Sequence, residues 1–185
     1  MSHPSILENN QTALLIVDLQ EAFRSVIPDF PMITEKTSTI ARGFQLLGIP
    51  ILVTEQYPKG LGRTAEEILY SLSDDQEIIE KKTFSSCGVN GFIDNLKALG
   101  VKQIVVCGLE THICVSQTAH DLLEAGFQVH LLKDAVASRN DHDKHTAINK
   151  MASNGVIISC VEMVLFELMR DSKHDKFKEI QNLIK

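Results

Sequence analysis

The sequence predicts an α/β fold, a mainly parallel sheet covered by helices on both faces. Three observations point there. Short apolar runs alternate with longer amphipathic stretches. The apolar runs lack polar alternation, as strands buried on both faces do. Four amphipathic stretches end in a glycine just before the next apolar run, at Gly48, Gly100, Gly126 and Gly155. Glycine is favoured there because the residue past a helix end takes the left-handed conformation.

Taken in order, Ala13 to Val17 is the first strand. Ile33, Thr37, Ile40, Ala41, Phe44 and Leu47 then share one helical face. Ile49 to Val53 is the second strand, and the connection from Gln56 to Arg63, with Gly60 and Gly62, is a loop on its functional side. Glu77 to Glu80 is the third strand, placed by its position in the alternation. Val89, Phe92, Ile93, Leu96 and Leu99 line the next helix, before a fourth strand at Ile104 to Val106. Val115, Ala119, Leu122 and Leu123 line another, before a fifth at Val129 to Leu132. A helix around Ile148, Met151 and Ala152 precedes a sixth strand at Val156 to Ile158. Leu165, Leu168 and Met169, then Phe177, Ile180 and Ile184, mark two closing helices.

Composition narrows the class. The 185 residues suit one domain, taken as 1–185, with room for a sizeable core. Hydrophobic residues make up 44% and charged residues 23%, which excludes disorder. Eighteen Lys and Arg against 24 Asp and Glu give a net charge of -6, with no basic footprint for nucleic acid or a membrane surface. No apolar run approaches the roughly 20 residues that span a bilayer. Met1 to Gln11 is polar and lacks a signal-peptide core. A soluble, cytoplasmic protein is expected. Cys87, Cys107, Cys114 and Cys160 form no C-x-x-C pair, against zinc and thioredoxin-like sites, and a disulfide framework does not suit such a chain.

Open parallel sheets bind ligands beyond the carboxyl ends of their strands. Asp18 follows strand one, Thr54-Glu55-Gln56-Tyr57 strand two, and Lys81-Lys82-Thr83-Phe84-Ser85 strand three. Gly108 to Cys114 follows strand four, and strand five runs into Asp134 and Ser138-Arg139. An acid, a lysine and a cysteine thus share one sheet edge. Cys114 stands near a helix start, whose partial positive charge lowers a thiol pKa. The unpaired amides there suit a developing oxyanion. A buried structural cysteine, and an aspartate that only caps a turn, explain the same positions.

The stretches Leu15-Ile16-Val17-Asp18-Leu19-Gln20, Glu80 to Ser85 and Gly108-Leu109-Glu110-Thr111-His112-Ile113-Cys114-Val115 resemble the active-site blocks of isochorismatase-like cysteine hydrolases. The chain looks closest to the isochorismatase domain-containing proteins, through Thr54 to Gly62, Asp134 to Arg139 and Phe177 to Gln181. The resemblance implies a three-layer α-β-α fold whose six-stranded parallel sheet is ordered 3-2-1-4-5-6. It implies an Asp-Lys-Cys triad, with Asp18 as base and Cys114 as nucleophile. Lys81 matches the family's lysine, three residues before the aromatic of Phe84-Ser85, and Lys82 is the alternative. Adjacent side chains of an extended segment point to opposite faces, so only one enters the site. A cis peptide before Glu110 is implied too, with the Glu110 and Cys114 amides as the oxyanion hole. Gln20, Phe23, Gln56, Tyr57, Thr111 and His112 are the expected substrate-binding positions.

Isochorismatases cleave a vinyl ether without the cysteine, whereas nicotinamidases and ureide hydrolases cleave C–N bonds through it. Cys114 therefore implies a hydrolase of a small amide, imide or ureide, without cofactor, and commonly a homo-oligomer. Nicotinamidases hold a metal on an Asp-x-His motif after strand two. Thr54-Glu55-Gln56-Tyr57 lacks both residues, so no metal is expected. The alternatives are a non-catalytic scaffold, a metal-independent nicotinamidase-like amidase and a nuclease. His142 and His145, three apart, read as a solvated face, and Cys107 and Cys160 as core.

Overall fold

The computed structural model describes residues 3–185; Met1 and Ser2, the first residues of the stretch read as lacking a leader, lie outside them. Six strands form one parallel sheet: β1 (Thr12–Val17), β2 (Ile51–Gln56), β3 (Ile78–Lys81), β4 (Gln103–Leu109), β5 (Gln128–Ala137) and β6 (Ile157–Ser159). Their order is β3-β2-β1-β4-β5-β6, as the sequence predicts. The helices are α1 (Phe30–Leu46), two single turns α2 (Pro58–Leu61) and α3 (Glu66–Leu69), then α4 (Phe92–Ala98), α5 (Ser116–Glu124), α6 (Asp141–Ser153), α7 (Val161–Met169) and α8 (Phe177–Leu183).

Strand side chains alternate between faces, so each buried strand feeds two cores. From β1, Leu14 and Ile16 pack with α1, α7 and α8 through Phe30, Ile40, Phe44, Leu165 and Ile180. Ala13, Leu15 and Val17 pack on the other face with α4, α5 and α6 through Leu96, Ala119, Leu122 and Met151. The four helix-strand glycines all take positive φ, between 67° and 99°.

The strand boundaries shift from the sequence reading, and at β2 and β5 the cause is plain. Ile49 donates its amide to the Phe44 carbonyl and so closes α1, leaving β2 to start at Ile51. Strand β5 runs five residues past Leu132, because a register shift after Val106 lets β4 resume pairing at Gly108 with Val136 and Leu109 with Ala137. Asp134 therefore lies inside β5, where its carboxylate accepts the Val161 amide at the start of α7. Cys160 is half-buried at that helix start and does not belong to the core.

One close approach fixes the carboxyl end of the sheet. Gly108 pairs with Val17 across β1 and β4. Its φ is 116°, and a Cβ there would fall on the Val17 carbonyl. Only glycine lets the two central strands meet at this level, one residue before Asp18.

Candidate active site

Asp18 leaves β1 with φ 50° and its amide on the Thr54 carbonyl of β2. Its side chain is sealed between neighbouring strands. Thr54 Oγ1 donates to Oδ1 at 2.8 Å, and Lys81 Nζ donates to Oδ2 at 2.6 Å. Lys81, last in β3, pairs in register with Gln56. Its ammonium also meets Gln56 Oε1 at 2.8 Å and the carbonyls of Phe84 and Thr83 at 2.8 and 3.2 Å. A buried ammonium needs such acceptors, because nothing else replaces its water shell. Lys82 points to the exposed side. Of the two adjacent lysines, Lys81 is the one brought to Asp18.

Cys114 belongs to a π-helical turn, Thr111–Val115, that joins β4 to α5. The peptide Leu109-Glu110 before it is cis. The Glu110 carbonyl accepts the amides on either side of Cys114, from Ile113 at 3.1 Å and Val115 at 3.2 Å. Cys114 is 7% exposed, and Asp18 and Lys81 both act on its thiol. Three groups from strand ends far apart in sequence thus meet in one buried cluster.

The electrostatics differ from the helix-start expectation. Burial first, and then the Asp18 carboxylate, push the Cys114 thiol up to about 12, against the pull of Lys81. Burial also raises the Asp18 carboxyl above the usual carboxylate range, while Lys81 and Thr54 oppose it. A helix terminus favours the thiolate only modestly, and here desolvation and a carboxylate outweigh it. Both the thiol and its neighbouring carboxyl are thus biased toward their protonated forms.

The expected binding positions divide. Gln20 is buried and uses both ends of its amide on the backbone: Nε2 donates to the Gln56 and Gly62 carbonyls, and Oε1 accepts the Gln56 amide. It secures the loop after β2. Gln56 spans Lys81 Nζ and the Lys82 carbonyl. Phe23 packs against the core on the α1 side of the sheet. Tyr57, at φ 38°, is half exposed and lines a cavity of about 600 Å³ with Pro58, Lys59 and Lys82. Thr111 is fully buried and its hydroxyl has no partner. His112 Nδ1 lies 2.9 Å from Ser138 Oγ, so its ring is held by the residue just past β5.

Sequence reasoning did not foresee the Thr54 bond to Asp18, the pairing of Arg139 with Glu110 or the Glu55–Thr64 bond. Glu55 is buried, and its carboxylate accepts the Thr64 amide and hydroxyl, the latter at 2.7 Å. The only signal for these was their position at strand ends. Among the described residues no three His, Cys, Asp or Glu side chains are grouped to hold a metal ion. His145 pairs with Asp141 on an exposed face.

The family model for the isochorismatase domain matches residues 12–163, from β1 into α7. The chain belongs to the isochorismatase family. Isochorismatase domain-containing protein 1 of Salmo salar is 40% identical over 174 residues, covering 94% of this chain. The chain spans only 61% of that relative's length. Among solved structures, MAR1 ribonuclease from Caenorhabditis elegans superposes with TM-score 0.93 at 40% identity, over 97% of this chain and 92% of that one. Pyrazinamidase of Pyrococcus horikoshii, in complex with zinc, gives TM-score 0.70 at 28% identity, over 81% and 99%. The octameric YcaC hydrolase of Escherichia coli shares the fold at TM-score 0.86 and 24% identity, over 100% and 97%. The isochorismatase-family fold brings this chain with it into a group that contains hydrolases, and no helix of the described residues is long and apolar enough to cross a membrane.

Proposed function

We propose that this isochorismatase-family protein is a cysteine-dependent hydrolase that cleaves a C–N bond in a small amide, imide or ureide. The observation that carries the reading is the buried contact of the Cys114 thiol with the Asp18–Lys81 pair. Cys114 Sγ attacks the carbonyl carbon as its proton passes to Asp18. The amides of Glu110 and Cys114 hold the oxyanion, and Lys81 offsets the charge. Asp18 then gives the proton to the leaving nitrogen, and a thioester remains on Cys114. Water attacks the thioester, with Asp18 again taking the proton, and releases the acid and the free thiol.

The pyrazinamidase likeness supports the C–N class. Its zinc does not transfer, because the residues at the carboxyl end of β2 and just past it are Thr54, Glu55, Gln56 and Tyr57, and the one carboxylate among them is bound to Thr64. An oligomer, as the YcaC hydrolase forms, is part of the proposal. So is a cytoplasmic location.

A second reading, RNA hydrolysis, draws on the likeness to the MAR1 ribonuclease. The net charge of -6 weighs against it. The test is a screen of small amides, ureides and an RNA oligonucleotide with wild type and Cys114→Ala. Turnover of an amide or ureide by wild type alone, with an adduct mass on Cys114, supports the C–N reading. RNA cleavage surviving in Cys114→Ala overturns it.

A further inference from the structure

The Glu110 carboxylate lies at the carboxyl end of β4 with its side chain only 5% exposed. Its Oε1 accepts two bonds from Arg139, the backbone amide at 3.0 Å and Nε at 2.9 Å. Arg139 stands two residues past the end of β5, so this carboxylate ties the ends of the two strands together. Its Oε2 faces His112 Nε2 at 4.0 Å, and the other nitrogen of that ring meets Ser138. Glu110, His112, Ser138 and Arg139 therefore close a ring around the start of the turn that carries Cys114. The Arg139 side chain is 55% exposed, and Asp143 is the other carboxylate that acts on it.

A buried carboxylate beside an amide weakens that amide as a holder of negative charge, unless a cation offsets it. The two bonds to one oxygen also fix the position of Glu110 Oε1 and so restrain the side chain and the backbone at that residue. We propose that Arg139 is a positioning residue: it neutralises and fixes the Glu110 carboxylate so that the Glu110 amide can hold the oxyanion formed when Cys114 attacks. The inference rests on the reading of Cys114 as nucleophile and of the Glu110 amide as oxyanion donor. Arg139→Met keeps the Arg139 amide on Glu110 Oε1, and Glu110→Gln/Arg139→Met removes the buried charge that the single variant leaves without its guanidinium.

Two probes separate an effect on the oxyanion from an effect on the thiol. p-Nitrophenyl acetate acylates a thiol through a tetrahedral oxyanion: the S–C bond forms, p-nitrophenolate leaves, and the thiol proton passes to Asp18. Iodoacetamide alkylates the same sulfur with loss of iodide and no oxyanion. Stopped-flow release of p-nitrophenolate and peptide mapping of carbamidomethyl Cys114 are compared in wild type, Arg139→Met and Glu110→Gln/Arg139→Met. In Arg139→Met the acylation rate falls about tenfold, less than the hundredfold or more of losing an oxyanion donor outright, while alkylation of Cys114 shifts far less. The double variant, which removes the uncompensated charge, regains most of the loss. The inference is overturned if acylation in Arg139→Met equals wild type, if both rates fall together, or if the double variant is no faster than the single. A wild type with no burst that depends on Cys114 removes the nucleophile reading itself, and the inference with it.

Discussion

Lys81 Nζ stands 2.6 Å from Asp18 Oδ2, and both side chains are shut away from solvent. Removing one partner of such a pair leaves the other charged and buried, which costs about 3–5 kcal/mol. Lys81→Met leaves Asp18 with Thr54 as its remaining side-chain donor of full strength. Urea unfolding at pH 7 is expected to show that loss for Lys81→Met. The exposed Lys82→Met should stay within about 0.5 kcal/mol of wild type. A larger loss at Lys82 would reverse the assignment of the two lysines.

The thiol of Cys114 gives a prediction with an unusual sign. Raised from 9.0 to about 12, it holds on the order of a thousandfold less thiolate at neutral pH than an unshifted thiol. Iodoacetamide should label it slowly near pH 7 and faster as pH rises toward 12. Asp18 is the charged neighbour that raises it, and Lys81 lowers it. Asp18→Asn should therefore speed alkylation at pH 8, read by peptide mapping, while turnover of any amide substrate is lost. Slower labelling in Asp18→Asn would refute the charge assignment.

Gly108 offers a test of the sheet. Gly108→Ala places a methyl on the Val17 carbonyl at a φ of 116° that alanine rarely adopts. A strained backbone position alone costs about 1–3 kcal/mol, and here β1 and β4 must also separate. The melting temperature should drop by about 5 °C or more for a chain of this size. Gly48→Ala has positive φ but open space around the added methyl, so its loss should be smaller.

Much of this was legible because parallel topology converts strand ends into neighbours. The alternation put Asp18, the Lys81-Lys82 pair and Cys114 on one sheet edge, while the strand order and the choice of Lys81 came from the resemblance to isochorismatase-like hydrolases. The Glu110 partner of Arg139 was not legible, since that grip depends on how far β5 extends. That extension follows from the register shift after Val106, which no periodicity reports. The Cys114 electrostatics were misread for a related reason: proximity to a helix start is written in the sequence, whereas burial and the distance to Asp18 are not. Gln20 shows the same limit, since a polar residue beside a motif can face a loop as readily as a ligand.

His130 supplies the pH dependence of the fold itself. It is buried in β5, with Nε2 donating to Gln128 Oε1 at 3.0 Å in the tautomer that the amide oxygen selects, and Nδ1 has no partner. Protonation would place an N–H at Nδ1 with nothing to receive it, so burial depresses the ring from 6.5 to about 4. The unfolded chain thus binds this proton first. Stability from His130 is complete above about 6.5 and is lost as pH falls through that value toward 4, with slope set by the proton difference. A ring held near 4 instead of 6.5 contributes on the order of a few kcal/mol between those two limits. His130→Gln removes the titrating group, so urea-unfolding energies at pH 7 and pH 4.5 should differ less in the variant than in wild type. Equal pH slopes in the two proteins would show that His130 is protonated in the folded state as readily as in the unfolded one.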